Sequence, residues 1–156
     1  MIRIRRFQLG EEKELAELVV SSLVELNGPD YLPGILDPFL SYYTPERILQ
    51  TSQEGHMYVA EENGRILGTG SIIEEGEGKA EIVTLFVKPG ETGKGAGRAL
   101  MESLEKDEIF VRADVVRLQS SITARGFYEK MGYRHETGEP VLILNDHYRM
   151  EKRKSE

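Results

Sequence analysis

An α+β fold, with a mixed, mostly antiparallel central sheet and helices on both faces, is what this 156-residue sequence predicts. Three observations carry that expectation. Apolar residues recur with a helical period between positions 11 and 26. Three strand-like runs then follow one another between positions 56 and 87, the first two joined across Asn63-Gly64. Beyond them, helical and extended segments alternate up to a closing hairpin.

The elements follow in order. Met1 to Phe7 alternates Ile2 and Ile4 with Arg3 and Arg5, the period of a half-buried strand. From Glu11 to Leu26 the period changes: Leu15, Leu18, Val19, Ser22, Leu23 and Leu26 share one helical face, and Glu11 and Glu12 lie near the positive end of the first turn. Asn27-Gly28-Pro29-Asp30 stops that helix, and a Gly-, Pro- and Tyr-bearing segment continues through Tyr31, Tyr42 and Tyr43. Thr44 as N-cap and Pro45 at the first helical position open a short helix through Gln50.

His56–Glu61 and Arg65–Ile72 read as strands of one hairpin, Glu74–Lys79 as a polar turn and Ala80–Val87 as the next antiparallel strand. Gly97–Lys106 is a helix with Leu100 and Leu104 on one face, Val115–Leu118 a strand, and Ile122–Met131 a helix. Pro140–Leu144 and His147–Met150 form the closing hairpin around Asn145-Asp146. With no repeat, linker or low-complexity stretch, one domain over residues 1–156 is expected.

Composition removes several function classes. The absence of cysteine rules out disulfides, thiolate nucleophiles and cysteine-ligated zinc. No apolar stretch approaches the roughly twenty residues of a membrane span, and basic Met1–Arg6 has no apolar segment behind it, so a soluble cytoplasmic protein without membrane attachment is expected. Twenty Lys and Arg scattered among 27 Asp and Glu, for a net charge of −7, argue against a nucleic-acid partner. His56, His135 and His147 lie far apart without acids at metal-ligand spacing, so no metal is expected and each reads as a surface or edge residue.

Thr92-Gly93-Lys94-Gly95-Ala96-Gly97-Arg98-Ala99 follows the apolar run Ile82–Val87 and the punctuation Lys88-Pro89-Gly90. Strand, glycine loop and helix start make a seat for phosphate, because glycines admit close backbone approach and a helix opens with unpaired amide donors. Gly90 and Gly95 have the four-residue spacing of a nucleoside-triphosphate loop, but Ala96-Gly97 stands where Lys and Ser or Thr belong. The dinucleotide fingerprint fails too, since Arg98 occupies the place of its last glycine.

The loop instead resembles the pyrophosphate loop of the GCN5-related N-acetyltransferases (GNAT), except that Thr92 replaces the long polar residue that opens their pattern. Leu85-Phe86-Val87-Lys88-Pro89 is similar to the apolar strand preceding that loop, and Ser121-Ile122-Thr123-Ala124-Arg125-Gly126-Phe127-Tyr128-Glu129-Lys130-Met131-Gly132-Tyr133 is similar to the family's later Phe-Tyr block. The resemblance covers residues 80 to 133; the N-terminal half matches in organisation only.

What the resemblance implies is specific. The cosubstrate would be acetyl-CoA, its pantetheine arm lying along the backbone of Leu85, Phe86 and Val87 in a gap where a distorted strand splays from its parallel neighbour. The loop Thr92, Gly93, Lys94, Gly95, Ala96 and Gly97, with the amides of Arg98 and Ala99, would hold the diphosphate. Lys94 either pairs with a phosphate or is solvated, and Ser121 either bonds the coenzyme or caps a helix. Glu81 is the candidate general base, with a relay through water as the other option. Strand alternation places Glu81, Val83, Leu85 and Val87 on one face unless a bulge intervenes. Tyr128, also beside the coenzyme, is the candidate acid for the departing thiolate. The acceptor would be a small-molecule or peptide amine entering between the Tyr31–Tyr43 segment and the strand of Glu81, with Tyr31, Tyr42 and Tyr43 as an aromatic wall. Self-association into a homodimer stays open, as does a non-catalytic acyl-CoA-binding module, which would need neither Glu81 nor Tyr128.

Overall fold

A computed structural model of the chain describes residues 1–154. The elements are β1 (Arg3–Arg6), α1 (Glu12–Ser22), α2 (Asp37–Tyr42), α3 (Pro45–Glu54), β2 (Gly55–Glu62), β3 (Arg65–Gly76), β4 (Lys79–Val87), α4 (Ala96–Leu104), α5 (Glu108–Arg112), β5 (Val115–Ser121), α6 (Arg125–Lys130), β6 (Arg134–His135), β7 (Leu142–Ile143) and β8 (His147–Arg153). They form one sheet in the order β1-β2-β3-β4-β5-β8-β6, with β7 also paired to β8. Every pairing is antiparallel except β4 with β5. The predicted mixed, mostly antiparallel α+β architecture is the one observed.

Local chemistry accounts for the hairpins. Asn63 and Gly64 adopt φ of 52° and 77°, and Glu77 and Gly78 adopt 51° and 76°, so both two-residue turns have the left-handed pairs that match strand twist. The second turn is tighter than the sequence indicates, because β3 runs on to Gly76. Thr44 Oγ1 accepts the Arg47 N–H at 3.1 Å, and the helix so capped continues to Glu54 rather than stopping at Gln50.

Two short helices escape the sequence pattern. Asp37-Pro38 places Pro in the first turn of α2, where its missing N–H costs nothing, inside a segment whose other Pro and Gly residues signal a loop. Asp107 starts α5 by accepting the Ile109 N–H at 2.8 Å, and it also holds the Tyr58 hydroxyl at 2.5 Å, tying α5 to β2. In the other direction α6 begins at Arg125 rather than Ile122, since residues 122–124 form a turn fastened by side chains. Beyond α1 the chain widens into a π-helical turn at Leu23–Asn27 and then tightens at Gly28–Asp30.

Apolar residues pack on both faces of the sheet. Met101, Leu104 and Phe110 cover Ile72, Ile82, Leu118 and Met150 on one face; Leu15, Val19 and Ile48 cover Met57, Val59 and Ile66 on the other. The consequential irregularity is in β4. Opposite Thr69 stands Phe86, but opposite Ser71 stands Val83, so β4 carries one extra residue there, and Thr84 has φ of 55°. That conformation is costly for a β-branched residue, and it swaps the faces of the strand. Ile82 packs toward α4 and so do Leu85 and Val87, while Phe86 packs toward α1 and α3. Glu81 and Val83 therefore do not share a face with Leu85 and Val87: the bulge intervenes.

Candidate active site

Parallel pairing runs from Lys79↔Val115 to Ile82↔Leu118 and stops. Past that point β4 and β5 diverge, and the β5-facing backbone edge of β4 has no partner strand. A cavity of about 320 Å³ opens in the gap, bordered by Val83–Val87 on one strand, Gln119 and Ser121 on the other, and by Tyr128. The widened turn after α1 and the α2 segment roof it through Leu26, Phe39 and Tyr43. The site sits where π-turns and bulges recur in proteins, at the strained points of the fold.

At one end of the gap lies the glycine loop. Gly95 precedes the first turn of α4 with φ of 89°, a backbone conformation that side chains resist. Among the described residues, no amide N–H from Thr92 to Arg98 donates to another part of the chain. A curved row of free donors at the positive end of a helix is an anion seat.

Glu91, only 8% exposed, fastens the loop from beneath. It accepts from Arg65 Nη1 at 3.0 Å and from Lys94 Nζ at 2.5 Å. The Lys94 bond, then Arg65, holds the Glu91 carboxyl below the usual carboxylate range. Lys94 therefore pairs with Glu91 while its side chain stays 46% exposed. Nothing in sequence marks Glu91, since an acid beside a glycine loop reads as solvated.

Glu81 borders the cavity with its carboxyl raised to about 7. Burial is the main cause, followed by the charge and hydrogen bond of Glu75, with Arg117 opposing. Tyr128 is 5% exposed, and its ring stands edge-on to Phe127 and Tyr133 at 5.3 and 6.2 Å between centroids. Burial pushes its phenol well up, and its hydroxyl has no hydrogen-bond partner among the described residues. Tyr43, raised to about 12 by burial, contributes to that shift.

The turn before α6 is set by two hydroxyls. Ser121 Oγ accepts the Ala124 N–H at 3.0 Å, so this serine caps a turn. Tyr31 accepts the Ile122 N–H at 2.9 Å and donates to the Asp146 carbonyl at 2.7 Å, binding the α1–α2 connection to the sheet. Phe127 anchors α6 against the loop, because a Cβ on Gly97 would lie 3.6 Å from its ring and 3.6 Å from Val87. Of the three tyrosines expected in the amine wall, Tyr31 and Tyr43 border the cavity. Tyr42 is 41% exposed and lies under the Arg47 guanidinium instead. Asp146 and His147 also border the cavity, although His147 reads in sequence as an edge-strand residue. Among the described residues no group of three or more His, Asp or Glu is arranged to hold a metal ion, and no helix is long and apolar enough to cross a membrane.

The acetyltransferase (GNAT) domain family matches residues 30–153. An uncharacterised N-acetyltransferase of Escherichia coli is 27% identical over 132 residues, spanning 85% of this chain and 81% of that protein. Another, from Methanocaldococcus jannaschii, is 34% identical over 101 residues, spanning 56% of this chain and 63% of that one. The fold is shared with PaiA N-acetyltransferase of Thermoplasma acidophilum, solved in complex with coenzyme A, at a TM-score of 0.80, 21% identity and 99% coverage of both chains. Ard1 of Thermoplasma volcanium shares it at a TM-score of 0.75, 20% identity and 97% coverage of both. With the domain match running from residue 30 to residue 153, the chain belongs to the GNAT acetyltransferase family and is an acyltransferase.

Proposed function

We propose that the protein is an N-acetyltransferase that moves the acetyl group of acetyl-CoA directly onto a primary amine bound beside it in one ternary complex. The observation that carries this reading is a single continuous feature, the gap between β4 and β5 leading into the unpaired amides of residues 92–98. The residues fit the cosubstrate. An open strand edge at Leu85, Phe86 and Val87 suits the amide groups of a pantetheine arm, and the free donors from Gly93 to Arg98 suit a diphosphate, whereas the Ala99 amide already donates to the Gly95 carbonyl at 2.9 Å. When bound, the cosubstrate supplies the activated thioester. Residues 1–156 are read as a single catalytic domain, which the one continuous sheet supports.

The chain's own residues divide the remaining work. Glu81, titrating near neutrality, takes a proton from the entering ammonium or amine so that the nitrogen lone pair is free to attack. Tyr128, kept neutral by burial, gives its proton to the departing sulfur as the carbon–sulfur bond breaks and the carbon–nitrogen bond forms. The Tyr43 and Phe39 wall keeps water from the thioester. A module that only binds acyl-CoA would have no use for a perturbed carboxyl and an unpartnered phenol on the same cavity. The experiment that tests the reading is acetyl-CoA-dependent thiol release over a panel of amines; release with no member of the panel contradicts it.

Two variants separate holding from chemistry. Tyr128→Phe is expected to lower kcat by about tenfold to a hundredfold while the acetyl-CoA dissociation constant moves less than about twofold, because a thiolate leaves more readily than an amine or alkoxide would. Stopped-flow single turnover beside equilibrium titration checks it; an unchanged single-turnover rate removes Tyr128 from the acid role. Glu91→Gln is expected to raise the KM for acetyl-CoA about threefold to tenfold with kcat retained, since the loop loses the carboxylate that fixes Lys94 and Arg65. Steady-state kinetics with acetyl-CoA as the varied substrate reads this out, and a lowered melting temperature with unchanged KM would make Glu91 merely structural.

A further inference from the structure

The cavity roof carries one polar notch. Ser22 and Asn27 border the cavity, 3% and 7% exposed, amid the apolar side chains of Leu23, Leu26 and Phe39. They stand at the two ends of the π-helical turn that continues α1, whose wider backbone bonds bring positions five apart onto one side of the helix. The side-chain amide of Asn27 makes no hydrogen bond among the described residues, and neither does Ser22 Oγ. Unlike the enclosed ring nitrogens of His135 and His147, these atoms keep accessible surface, and for residues so buried that surface is the cavity they border. An asparagine near a helix end ordinarily bonds its amide to neighbouring backbone. One that is buried and does not is destabilising, and folded proteins retain few such groups without a use.

The notch lies on the side of the sheet to which Glu81 points. Ile82 packs toward α4, so strand alternation turns Glu81 and Val83 to the opposite face, the one that α1 covers. The π-turn carries the chain onward from α1 on that face, and Glu81, Val83 and Asn27 border one cavity. A side-chain amide offers an oxygen acceptor and an N–H donor side by side in one plane, so the group that satisfies both at once is another amide. A hydroxyl or an ester satisfies one half of it. A carboxylate leaves Oδ1 unpaired and adds a charge to a cavity already bordered by the Glu81 carboxyl.

We propose that Asn27 is a specificity-determining residue whose side-chain amide pairs with an amide group of the acceptor, Oδ1 accepting its N–H and Nδ2 donating to its carbonyl oxygen. The favoured acceptors are then amines that carry an amide close to the nitrogen, as an amino-acid amide or the N-terminus of a peptide does, in preference to alkylamines, amino esters and free amino acids. The inference rests on the acetyl-transfer reading for the fate of the amine, but the recognition it describes is a binding property and is measured as one.

The test is calorimetric titration of the CoA-supplemented protein with amino-acid N-methylamides and the matching methyl esters, over apolar side chains of several sizes. Each pair differs by an N–H in place of an oxygen, at nearly equal amine basicity. At the best side chain the N-methylamide is expected to bind about tenfold tighter than the ester, the size of one hydrogen bond to a buried acceptor that otherwise goes unpaired. Asn27→Leu, similar in volume, erases the difference, and Asn27→Asp, which keeps an acceptor oxygen, preserves it. Equal affinities for amide and ester in the unaltered protein overturn the proposal, a comparison that needs no variant to fold. So does binding of no N-methylamide at all, or a preference that survives in a folded Asn27→Leu. CoA titration is read separately: an amide preference in a protein that binds no CoA would refute acetyl transfer and leave this inference standing.

Discussion

Glu81→Gln is expected to lower kcat/KM for the amine by about a hundredfold to a thousandfold, and to abolish the acidic limb of its pH profile. The enzyme with Glu81 intact should gain about tenfold in kcat/KM per pH unit below pH 7 and level off above it, because the carboxyl, raised to about 7 by burial and by Glu75, accepts a proton only once ionised. Glutamine matches the shape and cannot ionise, so the variant's profile should be flat through that window. Folding carries a related signature. The carboxyl binds its proton more tightly in the folded chain than at its ordinary value of 4.5, so its contribution to stability is fullest below that value and is lost as pH rises through about 7. Melting temperatures across that range should show a steeper decline with Glu81 than with Gln. A variant that keeps the acidic limb would move the base to a water relay and leave Glu81 as a buried bystander.

Gly95→Asp is expected to weaken CoA about a hundredfold, and Gly95→Asn by less than about tenfold. The comparison isolates charge. Gly95 has φ of 89°, and no atom lies within 4 Å of where its Cβ would be. Asn and Asp tolerate the left-handed region better than other side chains, so the two variants have similar backbone cost and similar volume. Only Asp sets a negative charge among the donors of residues 92–98. At ~5 Å and an effective dielectric constant of ~20, two like charges repel by ~3 kcal/mol, about a hundredfold in affinity, which solvent and salt at this open loop screen to the tenfold or greater difference expected between the two variants. Because such repulsion is screened, raising the ionic strength should narrow the gap between Asp and Asn. Calorimetric titration of both variants at two salt concentrations checks it; equal losses would mean that the loop does not face a diphosphate.

Much of this arrangement is legible in the sequence where local chemistry decides the outcome. Asn63-Gly64 can hardly do other than turn, Thr44-Pro45 starts a helix by capping and by a preset φ, and the three glycines after Gly90 expose donors wherever a strand feeds a helix. The paired blocks around Gly95 and Tyr128 carry the family resemblance, and the domain match over residues 30–153 bears it out. What sequence hides is imposed by tertiary context. Thr84 is a strand former by propensity, yet packing of Leu85 toward α4 and Phe86 toward α1 and α3 forces it to φ of 55° and creates the bulge that turns Glu81 to its own face. Glu91 looks like an ordinary surface charge until the fold buries it and brings Arg65 and Lys94 to its carboxylate. Asp146 and His147 read as a turn and an edge strand, because their shared cavity is assembled from Tyr31, more than a hundred residues earlier.

Amide NMR of the uniformly labelled protein, titrated with CoA, tests the diphosphate seat most directly. The largest shift changes are expected at the N–H groups of residues 93–98, whose donors are free in the unliganded chain, with a second set at Val83–Val87 along the open edge of β4. Saturating CoA that left those resonances in place, or that moved only amides on another surface, would contradict the mechanism proposed for this enzyme.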